Sequence, residues 1–537
     1  MKKLLSFFFL LNLMSSLAFS QLSKTQITIG GNGLDLCNYM AQTNDGGYVM
    51  TGWTSSFGAG EGDMYVVKLD SNAEISWTKT IGGGRNDGGA NIIQTSDGGY
   101  ASIGWSHSFG TGNEKPEQEA FNTYLIKLNP SGGVTWTKTY TDSNFYGYGH
   151  AIIQTRDLGY AIAVNIFKSI TGDSSNIMLM KLDTVGNIGW ATNISGKADN
   201  GVGYHIVQTT DGGYALAGYT GSYGAGFYNV YVLKFDSSGN VSWTETIGGT
   251  NDDIASAIIQ TRDGGYAITG QTYSFGDTVN GDVYVIKLNS AGVIEWTKTV
   301  GGDKMDIGQS IIQTRDGGYA ITGQTYSYGD RVNGNVYVIK MDSLGEVKWT
   351  RSMGSAGEDE GESIVQTKDG GYAIGGVYDF GAGGKAYFIK LDSSGHTCSV
   401  YDSGGIVGSG GTITSKDSGR IHHRGRITSI DSGIVSSGGT YKDSCGLPSS
   451  INNITINVNN VEIYPVPASS EVTFKISWGE NKYITITDIT GKEIETMPIL
   501  NNRIQVNVSA FPAGIYFYEI IDKANNIIDR GKLSVAK

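Results

Sequence analysis

Five aspartates, Asp35, Asp87, Asp253, Asp306 and Asp359, each stand seven residues before a Gln that opens the string Gln-Thr-x-Asp-Gly-Gly-Tyr or a close variant. Gly147 and Gly201 take that place in two further copies. A calcium ion needs about six to eight oxygens, and one carboxylate per copy supplies too few. Capping of a turn or strand through the short Asp side chain is the expected role. Trp77, Trp136, Trp190, Trp243, Trp296 and Trp349 recur just as regularly. Such a series invites comparison with quinone-cofactor sites, but its recurrence copy by copy points to packing between units. Phe57, Phe109, Tyr223, Phe275, Tyr328 and Phe380 each precede a glycine. They could form sugar-stacking platforms, and packing between units is again the expected role. His422-His423 beside Arg424 is the one histidine cluster, in a Gly-rich stretch where solvation is expected. There is no Gly-x-Ser-x-Gly elbow, zinc-protease helix, phosphate loop or Cys-x-x-Cys. No catalytic, cofactor-binding or metal-binding residue is assigned, and no cofactor is expected. A carboxylate pair assembled in space would leave no such motif. A unique site is expected where the copies differ, as in the acidic insertion 112–123 or at Asn165-Ile166-Phe167-Lys168.

These residues ride on a repeat. The Gln of the string falls at 42, 94, 154, 208, 260, 313 and 366, so seven copies of about 53 residues fill the chain from Thr25 to about 395. Each copy reads as four strands. In the fifth, Ala257-Ile258-Ile259-Gln260-Thr261 is followed by an Asp-Gly-Gly turn, which supplies the positive φ that a tight hairpin needs. Tyr266 to Thr272, Val283 to Leu288 and Val293 to Thr299 are the other three. Four-stranded units repeated seven times suit a β-propeller, whose closure leaves only short protected edges. A linear solenoid would need polar capping repeats, and none is evident. Thr25-Gln26-Ile27-Thr28-Ile29-Gly30-Gly31 matches the end of a fourth strand, whereas the seventh copy lacks its tryptophan. The N-terminal strand is therefore expected to complete the last blade.

Composition agrees. Of 537 residues, 80 are glycine and 17 % are charged. Glycine at that density opposes a helical fold, while 31 Tyr, 17 Phe and 9 Trp oppose disorder. The net charge of −12 argues against nucleic acid as a partner. Residues 1–20 read as a secretory signal, with Lys2 and Lys3 before an apolar run and Ala18-Phe19-Ser20 as cleavage site. No later segment is long enough to span a membrane, so no span is expected in the mature chain. Cys37, Cys398 and Cys445 allow one disulfide in three pairings. A Cys398–Cys445 bond would bracket much of residues 401–460, a Gly/Ser-rich segment with a loose 14-residue rhythm, read as a flexible linker.

The repeat resembles the secreted bacterial β-propeller family called SBBP. The residues that carry the likeness are Trp243, Gly248-Gly249, Asp253, Tyr266-Ala267-Ile268-Thr269-Gly270, Ser274-Phe275-Gly276 and Tyr284-Val285-Ile286-Lys287-Leu288. That likeness implies fold and says little of function. From 461 to 537 the chain changes to alternating strands that suggest a small β-sandwich. Its pieces Tyr464-Pro465-Val466-Pro467, Asp488-Ile489-Thr490-Gly491-Lys492, Gly514-Ile515-Tyr516-Phe517 and Gly531-Lys532 through Lys537 resemble the C-terminal sorting domain of the type IX secretion system. Val466 departs from the Asn usual in that family. The resemblance implies export through the periplasm and outer membrane, with the secretion machinery and its sortase as partners. The fold expected is all-β, a seven-bladed β-propeller (25–400) followed by the sandwich. The role expected is that of a secreted or surface-displayed, non-enzymatic binding or scaffold module for a glycan, surface polymer or protein ligand. The alternative is an extracellular glycan-active hydrolase or lyase with its site in the propeller channel.

Overall fold

The structure is a computed structural model that describes residues 25–397, except loop stretches at 111–120, 142–145, 168–174, 196–200, 330–331 and 381–382. It also describes the short strands of 401–443 and most of 461–535. The signal segment 1–20, Cys398, Cys445, Pro465, Pro467, Gly491, Lys537 and most of the 112–123 insertion lie outside the described residues.

Among the described residues there are seven blades, each built on four antiparallel strands; six take all four from one copy, and the seventh takes three. In blade 5 the strands are Asp253–Gln260, Tyr266–Thr272, Asp282–Leu288 and Ile294–Gly301. The first strands of successive blades adjoin around the axis, so they are the inner strands and the fourth are the outer. The ring closes as the sequence implies: Thr25–Ile29 pairs antiparallel with Lys385–Leu391 and supplies the outer strand of blade 7. Exchanging a strand between the chain's two ends turns the last blade into a clasp.

Each recurring residue has a job in this ring. The tryptophan of each outer strand packs edge-on against the tyrosine that opens the second strand of the next blade, at 5.6 Å for Trp77–Tyr100 and 5.7 Å for Trp349–Tyr372. At the last junction, where the copy has no tryptophan, Tyr48 meets Phe388 at 4.8 Å. The loop aromatics lie on the third-strand tyrosine of their own blade, as Phe275 does on Tyr284 at 5.8 Å, and join the apolar clusters between blades. Phe380 departs from this pattern and is 48 % exposed. In the Asp-Gly-Gly turn the Asp reaches the third-strand Lys of every blade at 2.6–3.0 Å, as in Asp45–Lys68 and Asp369–Lys390. The recurring Gln accepts the backbone N–H of the preceding blade's turn, as Gln260 does from Thr210 at 2.8 Å, and so staples neighbouring blades. The aspartates cap as expected: Asp253 accepts the Gly249 N–H and the Ser274 hydroxyl, both at 2.7 Å, and the Thr272 hydroxyl.

Within 401–443 the described strands differ from the flexible linker expected of the 401–460 segment. Six short strands within it add antiparallel to the outer strands of blades 6, 5, 4, 3, 2 and 1 in that order. They are Tyr401–Asp402, Ile406–Gly408, Thr412–Ser415, Arg420–His422, Thr428–Ile430 and Ile434–Ser437. A seventh, Tyr441–Asp443, pairs back on the sixth. The chain thus runs backward around the rim as a belt. Its physical reason is the row of free N–H and C=O groups that an outer strand presents, which a passing extended chain can satisfy whatever its side chains. The 14-residue rhythm is two blade steps: the belt strands on blades 5, 3 and 1 begin at 406, 420 and 434.

The C-terminal unit holds two antiparallel sheets of three and four strands. Val472, Phe474, Ile484, Ile486, Val506 and Ile520 form its core.

The central channel as candidate functional site

The inner strands make the channel, and one irregularity repeated seven times decides what faces into it. In each inner strand the register slips by one residue at the same place, between Cys37 and Tyr39 in blade 1 and between Gly361 and Ser363 in blade 7. The residue inside the slip lies four positions before the recurring Gln. A β-bulge of this kind leaves one residue unpaired and re-aims its side chain. The residue just before the slip is small, because the neighbouring blade passes there. A Cβ on Gly308 would lie 2.3 Å from Thr269 Oγ1, and one on Gly361 2.3 Å from Thr322 Oγ1.

The seven bulge residues are Asn38, Ala90, His150, Tyr204, Ser256, Gln309 and Glu362. No two are alike. The two residues that follow the next position are, by contrast, Ile-Ile, Ile-Val, Met-Ala or their like in all seven blades. All seven bulge residues line one cavity of about 440 Å³ on the propeller axis, together with Tyr39, Asn91, Tyr148, His205, Gln271, Ser310 and small or apolar neighbours.

The lining has two sides. Blades 3 and 4 supply a run of rings: Tyr148 to His150 at 4.4 Å, and His150 edge-on to Tyr204 at 5.1 Å. Behind them Trp105 stacks on Tyr148 at 4.8 Å and holds it. Tyr39 of blade 1 and His205 of blade 4 bring their rings to 6.4 Å, bridging the channel from blades that are not neighbours. Blades 6 and 7 supply amide and acid. Gln309 Nε2 donates to Glu360 Oε1 at 2.7 Å, and Glu362 faces the cavity two residues further along. Asn38 Nδ2 donates to the Gly89 carbonyl at 2.8 Å. Buried Asn91 Oδ1 accepts no hydrogen bond among the described residues.

Enclosure sets the charge of this space. Burial holds the His150 imidazole down at about 3, so it is neutral at physiological pH. Burial likewise lowers His205, opposed by its hydrogen bond to the Ile258 carbonyl, 3.0 Å away. Glu362 is pushed well up, by burial first and then by Glu360. Glu360 is also raised by burial, against the Gln309 hydrogen bond that favours its charged form. Burial therefore disfavours charge throughout the channel, on the imidazoles of blades 3 and 4 as on the acids of blade 7.

Sequence reasoning placed a unique site where the copies differ but looked to loops. Asn165 ends up on a strand, where its Oδ1 accepts the Gly203 N–H at 2.8 Å, a contact between blades. The signal for the channel was available in the aligned copies as the one column with seven different residue types. Of the tail residues, Tyr464 ends the strand Val461–Tyr464. Asp488 Oδ1 accepts the Lys492 N–H at 3.1 Å across a turn. Gly514 pairs with Val535, and Gly531 and Lys532 lie opposite Tyr518 and Phe517. Tyr516 is buried and donates its hydroxyl to the Pro512 carbonyl at 2.8 Å. Cys37 is a buried free thiol.

Comparison with known proteins adds one firm statement. Residues 462–533 match the family described as secretion system C-terminal sorting domain. The chain therefore carries a sorting tail, which supports secretion or display at the cell surface. Over 282 residues it is 24 % identical to the regulatory protein FlaEY of Caulobacter vibrioides, covering 47 % of this chain and 29 % of that protein. The chain thus spans less than a third of that relative. Among solved structures it is similar to PorZ, a surface component of the type-IX secretion system of Porphyromonas gingivalis, at 10 % identity and TM-score 0.26, over 96 % of this chain and 85 % of that one. It is also similar to Sqt1 of Chaetomium thermophilum, at 10 % identity and TM-score 0.34, over 71 % of this chain and all of the other.

Proposed function

We propose that this chain is an exported, non-catalytic binding module that takes a polar ligand, such as part of a glycan, surface polymer or protein, into the central channel of its propeller. One observation carries the reading. The seven blades repeat their scaffold residues and diverge at the bulge, where Asn38, Ala90, His150, Tyr204, Ser256, Gln309 and Glu362 face one cavity. A ring that served only as a spacer has no physical need for seven different side chains at its axis. Aromatic faces beside amide and hydroxyl groups suit a partly apolar, hydrogen-bonding guest.

The sorting tail supports a type IX route. The signal segment brings the chain to the periplasm, the tail takes it across the outer membrane, and the sortase removes the tail. Deleting 461–537 is expected to leave the protein in the periplasm, and normal secretion of the truncated chain defeats this part of the reading.

A second reading, glycan hydrolysis or lysis in the channel, is favoured by Glu360 and Glu362, both raised by burial, with Glu360 adding to the rise of Glu362. Both stand on one strand of one blade. A hydrolytic pair instead flanks the scissile bond, about 5 Å apart or more. Binding is therefore the better fit. A glycan-array and hydrolysis screen of the secreted protein tests both. Binding without turnover, lost on filling the channel with Ser256→Trp, supports the first reading. Turnover abolished by Glu362→Gln replaces it with the second.

A further inference from the structure

We propose that the channel's ligand carries an organic ammonium group, seated between the Tyr148–His150–Tyr204 run of rings and the carboxylate of Glu362. This inference rests on the channel-binding reading and names its ligand chemistry.

The argument begins with what the cavity lacks. It has one carboxylic acid among its lining residues and neither lysine nor arginine. Elsewhere in the propeller turn aspartates meet third-strand lysines and buried aspartates meet backbone N–H and hydroxyl donors, whereas Glu362 faces an open cavity that no cationic side chain lines. Glu362 lies on the inner strand of blade 7. Among the residues packed around it, the titratable groups are Glu360 on the same strand, Cys37 and Tyr39 of blade 1 and Tyr148 of blade 3. None can be a cation. The imidazoles of His150 and His205 are held neutral by burial and offer no counter-charge. A guest must therefore bring the positive charge if the acid is to ionise.

The opposite wall fits such a guest. Cations are attracted to the faces of aromatic rings within about 6 Å, and more strongly when water is excluded. Tyr148 and Tyr204 flank His150 at ring distances of 4.4 and 5.1 Å, with His150 tilted 41° to Tyr148 and edge-on to Tyr204, so the three line one wall with π-systems in different orientations. Trp105 and Tyr219 back the two tyrosines at 4.8 and 5.9 Å and fix their orientation. An ammonium bound here meets the aromatic wall on one side and an acid on the other. Its arrival favours ionisation of Glu362, so binding releases a proton.

Titration calorimetry of the secreted protein with glucosamine, choline and glucose tests the proposal. At pH 7.5 glucosamine or choline is expected to bind at least about 10-fold more tightly than glucose. The binding heat of choline, whose quaternary ammonium exchanges no proton of its own, should change with the ionisation enthalpy of the buffer. Glu362→Gln, which keeps size and removes the acid, is expected to abolish both the preference and the buffer effect. Tyr204→Phe keeps the ring and should retain affinity, whereas Tyr204→Leu should lose it. Equal binding of glucose and glucosamine overturns the proposal and leaves channel binding intact. Absence of binding by either amine overturns it as well, and only a blank glycan array in addition removes the underlying reading. A preference that survives Glu362→Gln also refutes it.

Discussion

Replacing Asp63 by Asn should stabilise the propeller in alkaline solution and do little in acid. Asp63 opens the third strand of blade 1 and is 1 % exposed. Its Oδ2 accepts the Ala59 N–H at 2.5 Å, while Oδ1 has no hydrogen-bond partner among the described residues. Across the junction stands Asp87 of blade 2. A Cβ on Gly82 would lie 1.9 Å from Asp63 Oδ1 and 2.7 Å from Asp87 Oδ2, so two buried carboxylates share one small space. Burial, opposed in part by the Ala59 amide and reinforced by the charge of Asp87, pushes Asp63 up to about 7 from 3.8. Folding then binds a proton that the unfolded chain has released. The contribution is most favourable below about pH 4, declines as the pH rises toward 7 and is level above it. A shift of roughly three units at about 1.4 kcal/mol each bounds the effect at about 4 kcal/mol. Local relaxation and water reduce this, and about 1–2 kcal/mol at pH 8 is the expected gain. Blades 4 and 6 already carry Asn229 and Asn335 at the equivalent place, so the fold accommodates the amide. Guanidinium unfolding followed by tryptophan fluorescence at pH 5 and pH 8, with an unchanged slope, measures the difference. An equal loss of stability at both pH values would refute the reasoning, because it would mean that the charge of Asp63 is used in the fold.

Leu158 occupies a turn position with φ of 67°, where the matching residue of blade 4 is Gly212 at 87°. Leu158→Gly should stabilise by about 0.5–1 kcal/mol and Gly212→Leu should destabilise by about 1–2 kcal/mol in the same unfolding assay. Ile29, 4 % exposed in the clasp strand, should cost about 2–4 kcal/mol as Ile29→Ala, whereas Ile75→Ala, at a 53 % exposed site, should change stability by less than about 0.5 kcal/mol. Removing the belt by ending the chain at residue 397 should leave the β-sheet circular dichroism of the propeller while the chains associate through six uncovered outer edges. Light scattering after size exclusion reads this, and a monodisperse monomer would show that the edges need no cover.

Much of this molecule could be read without coordinates. The count of blades follows from the Gln-Thr-x-Asp-Gly-Gly-Tyr string, and the clasp from Thr25–Gly31 matching an outer strand that the seventh copy lacks. The packing roles of Trp77 and Phe57 and the capping role of Asp35 were legible because each recurs with the repeat. Recurrence itself separates scaffold from site. The belt was not legible. Its strands are two to four residues long, too short to alternate, and their partner is an edge of backbone that accepts almost any sequence. Composition there describes the belt's side chains, whereas its structure depends on main-chain pairing with strands about 50 to 350 residues away.

The channel shows where the division falls. The sequence by itself determined that one column differs in all seven copies, and with it the chemistry available: two aromatic or imidazole rings, three amide or hydroxyl groups, a methyl and one acid. Only the tertiary structure decided that these seven side chains meet. The bulge turns each toward the axis, and closure of the ring brings residues 324 positions apart, Asn38 and Glu362, to the wall of one cavity. Side-chain identity is local, but proximity and the desolvation that shifts His150 and Glu362 are properties of the closed ring.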